Sequence, residues 1–77
     1  MKFTVEAFWD EEAKVWVATS DDVLGLVTEA DNLDVLTTKL KVMIPELLLA
    51  NNVILNNYTG HISFELITRR QELIEVS

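Results

Sequence analysis

The sequence predicts a single small α+β domain with the order β-β-β-α-β, in which one main helix packs across one face of a small antiparallel sheet. Three observations predict this class. Residues 2–9 alternate between apolar and polar side chains, as a half-buried strand does. A second apolar run, residues 14–20, follows after a short acidic connection typical of antiparallel pairs. Leucine and methionine then recur at intervals of three and four, the spacing of an amphipathic helix.

Four strands are predicted, over residues 2–9, 14–20, 25–30 and 61–69 of one domain spanning residues 1–77. The last strand is expected to place inward its alternate apolar residues, which are Ile62, Phe64 and Leu66. Residues 70–77 either prolong this strand or fray. Their apolar side chains suggest contact with another chain.

The helix is predicted over residues 32–51, with Asp31 or Asn32 capping its first N–H groups. Its buried stripe is predicted to consist of Leu33, Leu36, Leu40, Met43 and Leu47. Pro45 has no N–H for the bond to the carbonyl of Lys41, so the helix should bend or split there.

Both faces of the predicted sheet carry apolar side chains. A lone helix covers only one face, and the exposed face of an antiparallel sheet is normally polar. In addition, 49% of the residues are hydrophobic, which is more than one sheet and one helix of this size are expected to hide. We therefore expect a homodimer in which Phe8, Trp16 and Ala18 lie on the second face and form the interface.

Composition restricts the class of protein further. Cysteine is absent, so disulfides and thiol chemistry are excluded. The N-terminus has an early acid and no unbroken apolar stretch, and no run is long enough to span a membrane, so a cytoplasmic protein is expected. Eight of the 13 acidic residues, but one of the six basic residues, lie between Asp10 and Asp34, so this segment carries the whole net charge of −7. Such a field repels phosphate and attracts a basic partner.

The segment from the second strand to the helix resembles HicB-like antitoxin domains. These domains place an aromatic-rich second strand before a turn of the type Asp-Leu-Pro-Gly, then a short strand with a threonine, then a helix. The turn here reads Asp22-Val23-Leu24-Gly25, with Leu24 in the usual place of proline and Thr28 in the following strand. The resemblance is strongest over residues 1 to about 50, and it is closest to a short stand-alone prokaryotic subgroup of unknown function.

A search for catalytic groups gives little. His61 is the only histidine, and no phosphate-binding loop or zinc-type spacing occurs, so neither a catalytic residue nor a cofactor is predicted. HicB-like domains resemble a trimmed ribonuclease H sheet, which raises the question of carboxylate-bound metal. The acids here fall in connections rather than on strands facing one cleft, so no metal site is predicted. Six scattered basic residues do not predict direct binding to nucleic acid.

Three functions remain open, in order of preference. The first, implied by the resemblance, is an antitoxin-like binding module that masks a small basic RNA-cleaving toxin of the HicA type. Its partner-binding residues would be the exposed acids of the two connections, Asp10, Glu11, Glu12, Asp21 and Asp22. The second is a stand-alone homodimer with a regulatory or scaffolding role, in which these acids only maintain solubility. The third is an enzyme that uses carboxylate-bound metal.

Overall fold

The computed structural model describes all 77 residues and has the predicted order of elements. Strand β1 spans Lys2–Asp10, β2 Val15–Thr19 and β3 Val27–Ala30, helix α1 spans Leu33–Ala50, and β4 spans Ser63–Arg69. The four strands form one sheet in the order β3-β2-β1-β4. The predicted α+β class is therefore confirmed.

The sheet is mixed rather than wholly antiparallel. Strands β1, β2 and β3 pair antiparallel, as predicted, but β4 pairs with β1 in the parallel direction. Because β3 runs in the same direction as β1, α1 is a crossover connection that carries the chain back over the sheet to its other edge. The result is one helix on one face and two free edges, at β3 and β4.

Helix α1 begins with a side-chain cap and continues through its proline. The Asn32 Oδ1 atom accepts a hydrogen bond from the N–H of Val35 at 2.8 Å, which selects Asn32 over Asp31 as the cap. Pro45 lies inside the unbroken helix, so the predicted split is wrong. The helix tolerates the missing hydrogen bond because its buried side chains hold it to the sheet.

The buried stripe of α1 is rotated slightly about the helix axis from the predicted one. Its fully buried side chains are Leu36, Leu40, Ile44 and Leu48, whereas the predicted Leu33, Met43 and Leu47 are only partly buried. This stripe packs on a sheet surface of small residues, including Ala7, Ala18 and Ala30. Small side chains let the helix approach the sheet closely, so the large leucine side chains fill the space between the layers.

The proposed grouping of Phe8, Trp16 and Ala18 on one face is wrong. The register pairs Ala7 with Ala18 and Phe8 with Val17, and residues paired in this way project to the same face. Ala18 is fully buried beneath the helix, and Trp16, two residues away, packs against the edge of the same core. Phe8 alone of the three lies on the opposite face.

The face opposite to α1, called the open face below, is covered by no element of the chain. Its apolar side chains are Phe8, Val15, Val17, Val27 and Ile67. The expectation that both sheet faces carry apolar groups is therefore confirmed, although with different residues. The tail, residues 70–77, forms no regular secondary structure and is exposed throughout. No helix of the chain is both long and apolar enough to cross a bilayer.

Candidate protein-interaction surface

The five acids predicted to bind a partner lie at opposite ends of the sheet. Asp10 is the last residue of β1, Glu11 and Glu12 follow it in the connection to β2, and the connection from β2 to β3 holds Asp21 and Asp22. Because the strands form a meander, these connections are separated by the length of β2, about 15 Å for its five residues. The acids therefore form two small clusters and not one site.

In the first connection, backbone geometry fixes the carboxylate of Asp10. Its Oδ1 atom accepts hydrogen bonds from the N–H groups of Glu12 and Ala13, at 3.0 and 3.1 Å. The N–H of Lys14 donates to the Asp10 carbonyl at 2.8 Å, and Lys14 has a left-handed φ of 59°. An aspartate that bonds the backbone two residues onward is a common turn former, so Asp10 has a structural role.

Glu11 is engaged by two side chains. Its carboxylate accepts a hydrogen bond from Lys14 Nζ and another from Trp9 Nε1, the latter at 2.6 Å. The Lys14 bond and the Trp9 bond, in that order, hold the pKa of Glu11 below its usual value. The Trp9 ring also packs edge-to-face on Trp16, with centroids 5.5 Å apart, and carries the Arg70 guanidinium 4.5 Å from its centroid. Glu11 thus belongs to an aromatic and ionic cluster that holds the start of the tail.

In the second connection, Asp22 closes the end of the β1–β2 pair. Its Oδ2 atom accepts a hydrogen bond from the Thr4 N–H at 2.7 Å, and Ser20 Oγ donates to the Thr4 carbonyl at 2.6 Å. Ser20 Oγ also accepts from the N–H groups of Asp22 and Val23, both at 3.1 Å. The expectation that Asp22 is exposed holds, but its carboxylate is already bound within the chain.

Two of the five acids remain unengaged. Glu12 and Asp21 are exposed and make no hydrogen bond or ion pair through their side chains. They are the acids available to a partner, one at each end of the sheet. No group of three or more acids and histidines in the chain is arranged to hold a metal ion. His61 is exposed, and only its backbone carbonyl accepts hydrogen bonds.

The open face supplies the apolar part of the surface. Phe8, on the inner strand β1, is 46% exposed, and on the two edge strands Val27 is 66% and Ile67 37% exposed. On the open face, side chains that lie side by side on the four strands form rows across the sheet. One row consists of Glu29, Val17, Phe8 and Arg69, and the next of Val27, Thr19, Glu6 and Ile67. Strand alternation predicts an apolar second face. Its residues were assigned wrongly because the alternating sets of β1 and β2 were matched the wrong way.

The largest concavity, of about 530 Å³, lies elsewhere, along the outer side of α1. All of its lining residues come from that one helix: Asp34, Val35, Thr38, Lys39, Val42 and Met43. A groove built by one helix has no polar groups converging from separate elements, which is what a small-molecule site needs.

Comparison with known proteins identifies a family but not an activity. Residues 2–76 match a family described as a domain of unknown function, DUF1902. A hypothetical protein from the extremely thermophilic bacterium Thermus thermophilus, whose crystal structure is known, is 46% identical. The comparison covers 96% of this chain and 100% of that protein, with a TM-score of 0.79. No curated protein is significantly similar to the chain. Because the match spans nearly all of its residues, the chain belongs to the DUF1902 family.

Proposed function

We propose that this chain is a non-catalytic protein-binding module with an antitoxin-like role, and that its partner is a small basic RNA-cleaving toxin of the HicA type. The observation that carries the binding role is the open face, where Phe8, Val27 and Ile67 are exposed with no element of the chain over them. Apolar side chains left uncovered on one face of a sheet are typical of protein interaction sites.

The acidic character of the chain supports a basic partner. Glu12 and Asp21 are exposed without intrachain partners, and the net charge is −7. Such charges accelerate the encounter with a positively charged protein and act mainly on the association rate. The antitoxin part of the proposal rests on the resemblance of the Asp22–Thr28 segment to HicB-like domains. This assignment is more specific than membership of the DUF1902 family.

The experiment is affinity capture of the full chain from its native cell, followed by measurement of association with the captured partner. In the double variant Glu12→Lys/Asp21→Lys, the association rate at 50 mM salt should fall by about tenfold because two steering charges are reversed. The matched control is Glu46→Lys/Glu75→Lys, which changes the net charge equally at two other exposed, unpaired glutamates. Asp22 is left unchanged because it binds Thr4.

Three results would contradict the proposal. They are an acidic captured partner, binding that does not change between about 50 and 500 mM salt, and equal slowing by the two double variants. The third result would mean that only total charge matters.

A stand-alone homodimer with a regulatory or scaffolding role is the second candidate. It is favoured by the order of charges across the open face, where Glu29 lies at one edge of a row and Arg69 at the other. In this role the free acids keep the dimer soluble and contact no partner.

A further inference from the structure

The open face has an asymmetric distribution of charge. Its central row begins with Glu29 on the β3 edge, continues through Val17 and Phe8, and ends with Arg69 on the β4 edge. Glu29 is exposed, and Arg69 forms an ion pair with Glu6 at 3.7 Å. Within this row the middle is therefore apolar, and its two ends carry opposite charges.

We propose that the open face binds the open face of a second copy of this chain, with a two-fold axis that lies between the sheets and runs parallel to the strands. Rotation by 180° about this axis keeps each row opposite itself and reverses the order of its members. Glu29 then lies opposite the partner's Arg69, and Val17 lies opposite the partner's Phe8. In the neighbouring row, Val27 meets the partner's Ile67.

Two open faces can also be joined by a two-fold axis perpendicular to the strands, and the charges favour the strand-parallel axis over it. A two-fold axis perpendicular to the strands would place each edge strand over its own copy, so Glu29 would approach the partner's Glu29 and Arg69 the partner's Arg69. Like charges at an interface suppress association, whereas opposite charges fix its register. Both axes keep the strands of the two sheets nearly aligned, the common arrangement of packed sheets, so the charges decide between them.

The size of the face limits the strength of the dimer. The strands hold 9, 5, 4 and 7 residues, so at about 3.3 Å per residue and about 4.8 Å between strands they cover roughly 400 Å² on each copy. Two copies bury roughly 800 Å², below the value of about 1,000 Å² typical of stable specific interfaces. The proposed association is therefore reversible, and it should depend on concentration and salt.

The test is sedimentation of the full chain over a range of concentrations, with two matched valine variants. Val27→Glu introduces a charge on the open face, where the side chain is 66% exposed. Val42→Glu makes the same change on the outer side of α1, where the side chain is 57% exposed. The wild type should dimerise at tens of micromolar. Val27→Glu should raise the dissociation constant at least tenfold, and Val42→Glu should leave it within twofold.

A charge exchange tests the axis itself. Glu29→Lys and Arg69→Glu should each weaken the dimer, and the two changes together should restore it, because each subunit again presents opposite charges to its partner. Both side chains are exposed, so the variants should fold, and circular dichroism checks this. A wild type that is monomeric at several hundred micromolar, equal effects of the two valine variants, or a double variant no better than the single ones would overturn the proposal.

This inference assigns the open face to a second copy of the chain, whereas the proposed function assigns the same face to a basic partner. The two occupants would compete for the face, and the experiments separate them. A chain that is monomeric yet captures a basic protein overturns the dimer and supports the antitoxin-like role. A chain that dimerises through the open face and captures no basic protein supports this inference and favours the scaffolding role over the antitoxin-like one.

Discussion

The Thr4 N–H donates to the Asp22 carboxylate at 2.7 Å. Thr4 lies within β1, at a level of the sheet that β2 does not reach. In the paired part of the two strands, Glu6 lies opposite Thr19, and beyond Thr19 the chain turns away from β1. Thr4 would therefore lose its backbone partners. The side chains of Asp22 and Ser20 replace them, one accepting from the Thr4 N–H and the other donating to its carbonyl. A loop carboxylate that first suggests a partner site thus completes the edge of the strand pair.

Replacing Asp22 should destabilise the fold more than replacing its neighbour. Asp22→Ala leaves the Thr4 N–H without its charged acceptor, which should lower the free energy of unfolding by about 1 to 2 kcal/mol. Asp21→Ala should change it by less than about 0.5 kcal/mol, because the Asp21 side chain has no partner in the chain. Urea denaturation of both variants measures the difference. Equal stabilities would mean that the Thr4 bond contributes nothing.

The turn from Val23 to Leu26 should accept proline. The N–H of Leu26 donates to the Val23 carbonyl at 3.2 Å, and Gly25, the third residue of this turn, has a φ of +86°. This is the pattern of a type II turn, which favours proline at the second position, occupied here by Leu24. Leu24→Pro should therefore stabilise the protein by about 0.4 to 1 kcal/mol, by restricting the unfolded chain.

The matched changes at this turn are Leu24→Ala and Gly25→Ala. Leu24→Ala removes a side chain that is 74% exposed and should be nearly neutral in thermal unfolding. Gly25→Ala should destabilise because its φ lies in the left-handed region. A fall in melting temperature with Leu24→Pro would show that the turn is not of this type.

The order of elements and the start of the helix could be predicted because both depend on local chemistry. Alternation identified the strands, and the Asn32 cap precedes a periodic apolar stretch. The direction of β4 is not local. It depends on which strand β4 meets after the crossover, and alternation within β4 is the same in either direction.

The assignment of Phe8, Trp16 and Ala18 to one face of the sheet was wrong for a related reason. Alternation divides each strand into two sets, but only the hairpin register decides which set of β2 joins which set of β1, and a shift of one residue exchanges them. Here Trp9 pairs with Trp16, which places Ala18 under the helix and Val17 beside Phe8. The hydrogen bond from Thr4 to Asp22 was beyond prediction for the same reason, since it depends on where the register ends.

Two adjacent leucines test the position of the helix stripe. Leu48 is 1% exposed and lies in the core, whereas Leu49 is 38% exposed on the outer side of α1. Leu48→Ala should lower the free energy of unfolding by about 2 to 5 kcal/mol through lost burial and a residual cavity. Leu49→Ala should cost less than about 1 kcal/mol, since alanine also has the higher helix propensity. Similar losses from the two changes would place the stripe elsewhere.

The carboxylate of Glu11 should titrate below the usual range for glutamate. The hydrogen bond from Lys14 is the main cause, the bond from Trp9 Nε1 is the second, and both stabilise the charged form. Because the pKa is lower in the folded state, the stabilisation is fully present above the unfolded pKa and is lost as pH falls through the folded value. Carbon-detected NMR titration of Glu11 measures the shift directly. Lys14→Met should move the pKa up toward its ordinary value, and Trp9→Phe should move it less. A Glu11 pKa unchanged by Lys14→Met would contradict the contact.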